Sequence, residues 1–350
     1  MNSDFWNDRS VFVTGHTGFK GGWLAFWLSE MGAKVYGYSL EAATKPNFFD
    51  ILNLETSIKN SSIGDVRDLA GLIKSMEEAK PSVIFHMAAQ PLVLHSYNSP
   101  LETFTTNIIG SINVFEAARK IETVEAIINV TTDKCYENQE SNRPYNEKDR
   151  LGGYDPYSSS KACSEIVTSA YRNSFLSKIK VKLASVRAGN VIGGGDWAAD
   201  RLIPDIFRSL ETNKTLYIRS PKAVRPWQHV LEPLSGYLML AEKLIVSGDS
   251  FAEAWNFGPE QSDTKTVLWI LDKMSKQFEN FNWAMETSGK QHETNLLKLD
   301  ITKAKLKLGW KPRWTLETSI DNTIQWYQAY IKKKNMIEFT KNQIRNYQLS

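Results

Sequence analysis

Cysteine is scarce: Cys135 and Cys163 are the only two in 350 residues. That excludes a disulfide framework, offers no metal-ligand spacing, and suits a reducing compartment. Long apolar runs are missing as well, none approaching the roughly 18–20 residues of a membrane-spanning helix. Charge of one sign is not in excess. Lys plus Arg number 42 against 39 Asp plus Glu, a formal charge of +3, which leaves no electrostatic footprint for nucleic acid or a membrane surface. The opening "MNSDFWNDRS" is too polar and acidic for a signal peptide. The expectation is a soluble cytoplasmic protein with no metal, no nucleic-acid partner and no membrane partner. Its length suffices for one large α/β unit or two domains with ample cores.

Against these absences stands a dense N-terminal pattern. "RSVFVTGHTGFKGGWLAFWLSEMGAKVYGYSL" reads as an apolar strand, a glycine turn, a helix and a second strand. Gly15, Gly18 and Gly21 sit where the strand feeds the helix, the context in which a glycine triplet marks a dinucleotide site. There the backbone approaches a pyrophosphate, and the helix N-terminus offers amides and a favourable dipole.

In "DPYSSSKACSE", Tyr157 and Lys161 lie four apart at the start of a helix and so share one face. An ammonium beside the phenol lowers its pKa and readies it to take a proton. The bland alternative is a solvated Lys beside an interfacial Tyr. Trp23 and Trp27, at helical spacing, read as core, and His86 and Cys135 as packed groups near strand ends. Trp197 and Trp227 fall in segments that flank a ligand or simply pack.

Strand-like and helix-like segments alternate from the glycine turn onward: a helix from about 66, a strand at "SVIFHMA", a long helix from about 100, a strand at "EAIINVTT", the helix of Tyr157, and a strand at "KVKLASV". Alternation of this kind predicts an α/β fold, a Rossmann-type doubly wound parallel sheet with a smaller C-terminal substrate lobe. The ligand then lies at the carboxyl ends of the strands, where "HMAAQ", "TTDK" and "RAGN" fall. The expected division is a dinucleotide-binding domain over 1–190 with a later return near 225–260, a substrate lobe mainly over 191–335, and a solvated helix or tail over 336–350.

Taken together, these segments resemble the extended short-chain dehydrogenase/reductase superfamily over nearly the whole chain. "TGHTGFKG" is similar to its TGxxGxxG motif, "GDVRD" to its adenine-side Asp segment, "HMAAQ" to its HxAA strand end, and "TTN" with Asn107 to its helix-positioning Asn. Within the superfamily, "NVTTDKCYEN" resembles the Thr-Asp-Glu segment of nucleotide-sugar 4,6-dehydratases. With Lys134 in place of the usual Glu, it looks like their CDP-glucose branch. "RAGNVIGGGDWAADRLIPD", "AVRPWQHVLEP" and "HETNLLKLD" extend the match.

The resemblance implies conversion of CDP-glucose to a 4-dehydro-6-deoxy sugar and water, by hydride transfer from carbon 4 to NAD and back to carbon 6. Tyr157, acidified by Lys161 and the nicotinamide charge, takes the proton of the 4-hydroxyl, whose oxygen Thr132 holds. Asp133, its pKa raised by burial, is the acid for the leaving hydroxyl on carbon 6. Lys134 is either a desolvated neutral base at carbon 5, or the partner of Asp133 acting through water.

Cofactor contacts carried over by the resemblance are Gly15, His16, Gly18, Phe19, Lys20 and Gly21 on the turn, Ser39 at the second strand end, Asp65 and Val66 on the adenine side, Ala88, Ala89, Gln90 and Asn107, together with Tyr157 and Lys161. Ser39 replaces the acidic residue that usually accepts the ribose hydroxyls, so NAD rests on the need for an oxidised resident cofactor. His16 and Lys20 are cationic contacts or solvated loop residues. The substrate set is Gln90, Asn190, Arg201, Leu202, Tyr217, Arg219, Arg225 and His292, with His229 a weaker addition. The resemblance also implies a homodimer or homotetramer through the helices near 100–120 and 156–177, to which Val167 and Tyr171 contribute unless they are internal core. Deoxysugar supply for lipopolysaccharide is the implied pathway. A nucleotide-sugar 4-epimerase and a non-catalytic dinucleotide-sensing scaffold are the rivals, against which the "TTDK" segment and the Tyr–Lys pair speak respectively.

Overall fold

Strands buried on both faces need apolar residues at consecutive positions, and the chain supplies them repeatedly. The computed structural model describes residues 2–139, 143–286 and 297–350. Seven parallel strands form the central sheet: β1 (Ser10–Thr14), β2 (Lys34–Ser39), β3 (Asn60–Ile63), β4 (Val83–His86), β5 (Ala126–Val130), β6 (Lys182–Ala188) and β7 (Ala254–Phe257). Their spatial order is β7-β6-β5-β4-β1-β2-β3. The order reverses between β1 and β4, which opens a crevice at their carboxyl ends. Thr14 pairs with His86, and His86 with Asn129, so the strand ends finish level with one another.

Eight helices matter to the argument: α1 (Phe19–Glu30), α2 (Leu69–Ala79), α3 (Gly110–Ala118), α4 (Pro156–Ser174), α5 (Leu202–Thr212), α6 (Leu231–Ser247), α7 (Leu316–Ile331) and α8 (Met336–Leu349). The pleat sends alternate strand residues to opposite faces. Val11, Val13, Val83, Phe85 and Ile128 join Trp23 and Trp27 of α1 in one core, with α6, α7 and α8 beyond. Phe12, Ile84, Ile127 and Leu183 meet Leu72 and Met76 of α2 and Val114 and Phe115 of α3 in the other. The doubly wound sheet that the alternation predicts is the observed architecture.

Residues between β6 and β7, joined by segments that follow β7, build the lobe over the carboxyl ends of the sheet. Val191–Ile192 pairs with Gln228–His229, Leu216–Ile218 with Trp283–Met285, and Val224–Arg225 with Lys265–Thr266. No helix among the described residues is long and apolar enough to cross a membrane.

The C-terminal segment departs from the expected solvated helix or tail. Helix α8 buries Met336, Thr340, Gln343, Ile344 and Tyr347, a helical stripe masked in the sequence by its basic and amide neighbours. The Tyr347 hydroxyl donates to Glu232 at 2.8 Å and lies 2.9 Å from the Ser235 hydroxyl. Its ring packs edge-on against Trp27 and Trp314. Arg313 donates to the carbonyls of Tyr347, Gln348 and Ser350, satisfying helix-end acceptors that have no intrahelical partner. Val167 and Tyr171 pack partly buried against the second core. Because Tyr347 is fully buried among these partners, Tyr347→Ala should cost about 3–5 kcal/mol of unfolding free energy, read by urea titration. A loss below about 1 kcal/mol would mean that α8 is not part of the cooperative core.

Candidate active site

The glycine turn is set by close approaches that tolerate no side chain. Gly15 adopts φ +79, and a Cβ there would lie 2.7 Å from the Ala88 nitrogen. A Cβ on Gly21 would lie 2.0 Å from the Gly15 carbonyl oxygen. Gly18 starts α1 without a side-chain cap hydrogen bond, so the leading amides of the helix are left to the cleft. This cradle suits a pyrophosphate.

The cleft has a volume of about 660 Å³ and runs from this turn across the ends of β1, β4, β5 and β6 into the lobe. Phe19, Lys20, Ser39, Asp65 and Val66 line its dinucleotide end, joined by Ala88 and Ala89. Thr132, Asp133, Lys134, Tyr157 and Lys161 meet at its centre. Asn190, Arg201, Leu202, Tyr217, Arg219 and Arg225 line the lobe side. His292 lies outside the described residues.

Four residues expected to touch ligand do not face the cleft. His16 is fully buried, with its Nε2 2.7 Å from the Ser61 hydroxyl. Burial holds its pKa down to about 4, so it is neither a cationic contact nor a solvated residue. Gln90 spends its amide on Leu92 and Thr103. Asn107 accepts from the Gln90 amide at 2.9 Å and donates to the Gln90 carbonyl and to Ser160 Oγ. It sits in a π-helical turn, Thr105–Ile109, ahead of α3, and ties the loop after β4 to α4. His229 is likewise buried, against Trp23 and Trp314, and its Nε2 has no hydrogen-bond partner among the described residues.

At the centre, Asp155 caps α4 by accepting from the Ser158 amide, and Pro156 occupies the first turn, where its missing amide hydrogen is harmless. Lys161 Nζ donates to the Val130 carbonyl at 3.1 Å. Burial lowers its pKa to about 8, against the charge of Glu165. Tyr157 departs from the acidified phenol read from the i,i+4 spacing. Burial raises its pKa to about 12, while its hydrogen bond with Thr132 acts the other way. The buried carboxyl of Asp133 is raised by desolvation, opposed by Lys134, Thr132 and Arg225. Thr132 Oγ1 donates to Asp133 Oδ1 at 3.1 Å.

Lys20 extends to the Tyr237 hydroxyl at 3.5 Å. Desolvation, then Arg201 and Lys161, bring its pKa down to about 7 against the opposing charge of Asp133. Arg201 is held by Asp196 at 2.9 Å. Glu41 also lines the cleft, two residues past the end of β2 and so outside the strand-end position where an acid is sought. Trp227 lines it too, whereas Trp197 packs with Trp326, Tyr327 and Tyr330. The arrangement is a buried phenol, hydroxyl, carboxyl and amine within one chamber, beside a dinucleotide cradle. It can exchange protons at a polyhydroxy ligand while a bound dinucleotide exchanges hydride.

A family model described as GDP-mannose 4,6 dehydratase matches residues 12–323. The chain is 49% identical to the CDP-glucose 4,6-dehydratase of Salmonella typhimurium, covering 99% of this chain and 98% of that one. Among solved structures, the UDP-glucose 4-epimerase of Thermotoga maritima with UDP-glucose superposes with a TM-score of 0.77 at 23% identity, covering 92% of this chain and 99% of that one. The UDP-glucose 4-epimerase of Brucella ovis in complex with NAD gives 0.75 at 20% identity, covering 91% and 98%. These two share the fold.

The lowered pKa of Lys161 has a stability signature. Between about 8 in the folded protein and 10.5 in the unfolded chain, the unfolded state binds more protons. Stability therefore rises with pH through that window, and the full penalty holds below it. Lys161→Met should remove this rise. The difference in unfolding free energy between variant and wild type should change by on the order of 3 kcal/mol from pH 7 to pH 10.5, measured by urea unfolding at each pH. A constant difference would show that Lys161 is charged in the native cleft at pH 8–10.

Proposed function

Because the chain belongs to the GDP-mannose 4,6 dehydratase family, we propose that it converts CDP-glucose to CDP-4-dehydro-6-deoxyglucose and water, with NAD as its resident cofactor. The observation that carries this reading is the 49% identity over 99% of the chain to a CDP-glucose 4,6-dehydratase. The cleft supports it, since the turn of Gly15, Gly18 and Gly21 fits a pyrophosphate and leads directly to Tyr157 and Lys161. Bound along that turn, NAD supplies reversible exchange of hydride with the sugar.

The chain's own residues handle the protons. Thr132 and Tyr157, in hydrogen-bond contact, hold the oxygen on carbon 4, and Tyr157 in its phenolate form takes the hydroxyl proton and becomes the neutral phenol. With a pKa near 12, that phenol needs a neighbouring positive charge when the proton moves, which Lys161 and the nicotinamide together provide. Asp133, its carboxyl raised by burial, retains a proton to give to the leaving hydroxyl on carbon 6. Lys134, whose charge acts on Asp133, assists at carbon 5, as the base or through water. Arg201, Arg219 and Arg225 on the lobe wall receive the diphosphate.

Exposed Leu101 and Ile109 on the helical stretch before α3, Ile166 on α4 and Phe175 just past its end support association into a homodimer or homotetramer. The reaction serves deoxysugar supply in the cytoplasm.

Incubation with CDP-glucose and NAD should give a product lighter by one water, with no net NADH, and little product from dTDP-, GDP- or UDP-glucose in parallel. Mass spectrometry reads it. Unchanged mass with inverted configuration would indicate epimerisation, and inertness toward every nucleotide sugar would refute the assignment.

A further inference from the structure

The turn between β5 and the following loop carries Thr132, Asp133 and Lys134, and a single buried ion pair lies at both of its ends. Before the turn, Thr131 Oγ1 donates to Glu165 Oε1 at 2.5 Å. After it, the Tyr136 hydroxyl accepts from Arg187 Nη1 at 2.8 Å and donates to Asn256 Oδ1 at 2.7 Å. Glu165 and Arg187 meet at 2.8 Å with side chains 3% exposed. Ser185 Oγ donates to the same carboxylate at 2.7 Å, so Glu165 accepts three hydrogen bonds from three positions.

Glu165 stands four residues, about one helical turn, after Lys161 on α4, and about two turns after Tyr157 on the same face. Arg187 is on β6, beside β5 in the sheet. The pair therefore links the helix that carries the phenol and amine to the strand end that carries the hydroxyl, the carboxyl and Lys134. Burial opposes ionisation of Glu165, but the charge and donors of Arg187 outweigh it, and the carboxylate is held below its usual range. Arg187 is stabilised as a cation by the same contact.

We propose that Glu165 and Arg187 are positioning residues for the reaction, fixing Thr132, Asp133 and Lys134 relative to Tyr157 and Lys161 while touching neither sugar nor cofactor. The inference rests on the dehydratase reading above. It has an electrostatic consequence. The ionisable groups around Glu165 are Lys161 and Arg172 on α4, Arg187 on β6, and Cys135 and Tyr136 on the turn. Removing the carboxylate leaves Arg187 as an uncompensated neighbour and makes the Lys161 ammonium harder to keep.

Glu165→Gln preserves shape and removes the charge. With CDP-glucose and NAD, kcat should fall by roughly 100-fold, while the dissociation constant for NAD and the KM for CDP-glucose stay within about threefold. The alkaline limb of kcat against pH should move to lower pH by about one unit, a displacement that lost folded protein alone does not produce. Because Glu165→Gln leaves a buried cation, the double variant Glu165→Gln, Arg187→Met is the control. It should regain thermal stability without regaining kcat.

Retention of kcat within threefold in folded Glu165→Gln would overturn the proposal. So would a fall in kcat proportional to lost folded protein with the alkaline limb in place, or recovery of kcat in the double variant. A wild-type protein inactive on every nucleotide sugar would instead refute the dehydratase reading, a distinguishable result.

Discussion

The seating of α4 on the sheet is the constraint from which the rest of the site follows, and it is made by polar groups. The buried face of this helix is Tyr157, Ser158, Ser160, Lys161, Ala162, Ser164, Glu165 and Thr168, more polar than apolar, with Val167 and Tyr171 packing at its edge. Ser160 accepts from Asn107, Ser164 lies 3.0 Å from Ser111 and accepts from Asn129, and Thr168 accepts from Asn129. An apolar face slides between packings of similar energy, whereas a seam of paired donors and acceptors fits one register, because each mismatch strands a buried polar group. That register is what puts Tyr157 beside Thr132 and Lys161 beneath the end of β5.

The sheet supplies the other half of the geometry. Level strand ends bring the residues after β1, β4, β5 and β6 into one crevice, and Gly15 can approach Ala88 only because it has no side chain. The chamber so formed gathers Lys161 and Arg201 close enough to Lys20 to depress its basicity beyond what burial does, with Asp133 opposing them there and Asp196 holding Arg201 as a cation. Such a surplus of positive groups suits an anionic diphosphate ligand.

Much of this was legible in the sequence because it rests on local patterns. Apolar strands, the glycine turn and the i,i+4 spacing of Tyr157 and Lys161 each follow from neighbours along the chain, and they placed the sheet, the cradle and the reactive centre. What was not legible depends on where side chains turn. His16 sits in the turn motif but points inward to Ser61, Gln90 spends its side-chain amide on Leu92 and Thr103, and Asn107 spends its own on the Gln90 backbone and on α4. Tyr157 shares a helix face with Lys161, yet the amine reaches for a carbonyl and burial dominates the phenol. Glu165 and Arg187 look like ordinary charges in a helix and a strand, although a lone Arg in the apolar run of β6 was the signal that could have marked them. Helix α8 was hidden because its apolar stripe is diluted by Thr340 and Gln343, which are buried through hydrogen bonds made elsewhere in the fold.

The central claim is that one chamber removes a hydride from carbon 4 of the sugar and returns it to carbon 6 without releasing it. The most direct measurement uses CDP-glucose deuterated at carbon 4, with unlabelled NAD in ordinary water, and locates the label in the product by NMR. The account predicts deuterium on the new methyl carbon of the same molecule. Label lost to solvent, or accumulated in free NADH, would contradict it.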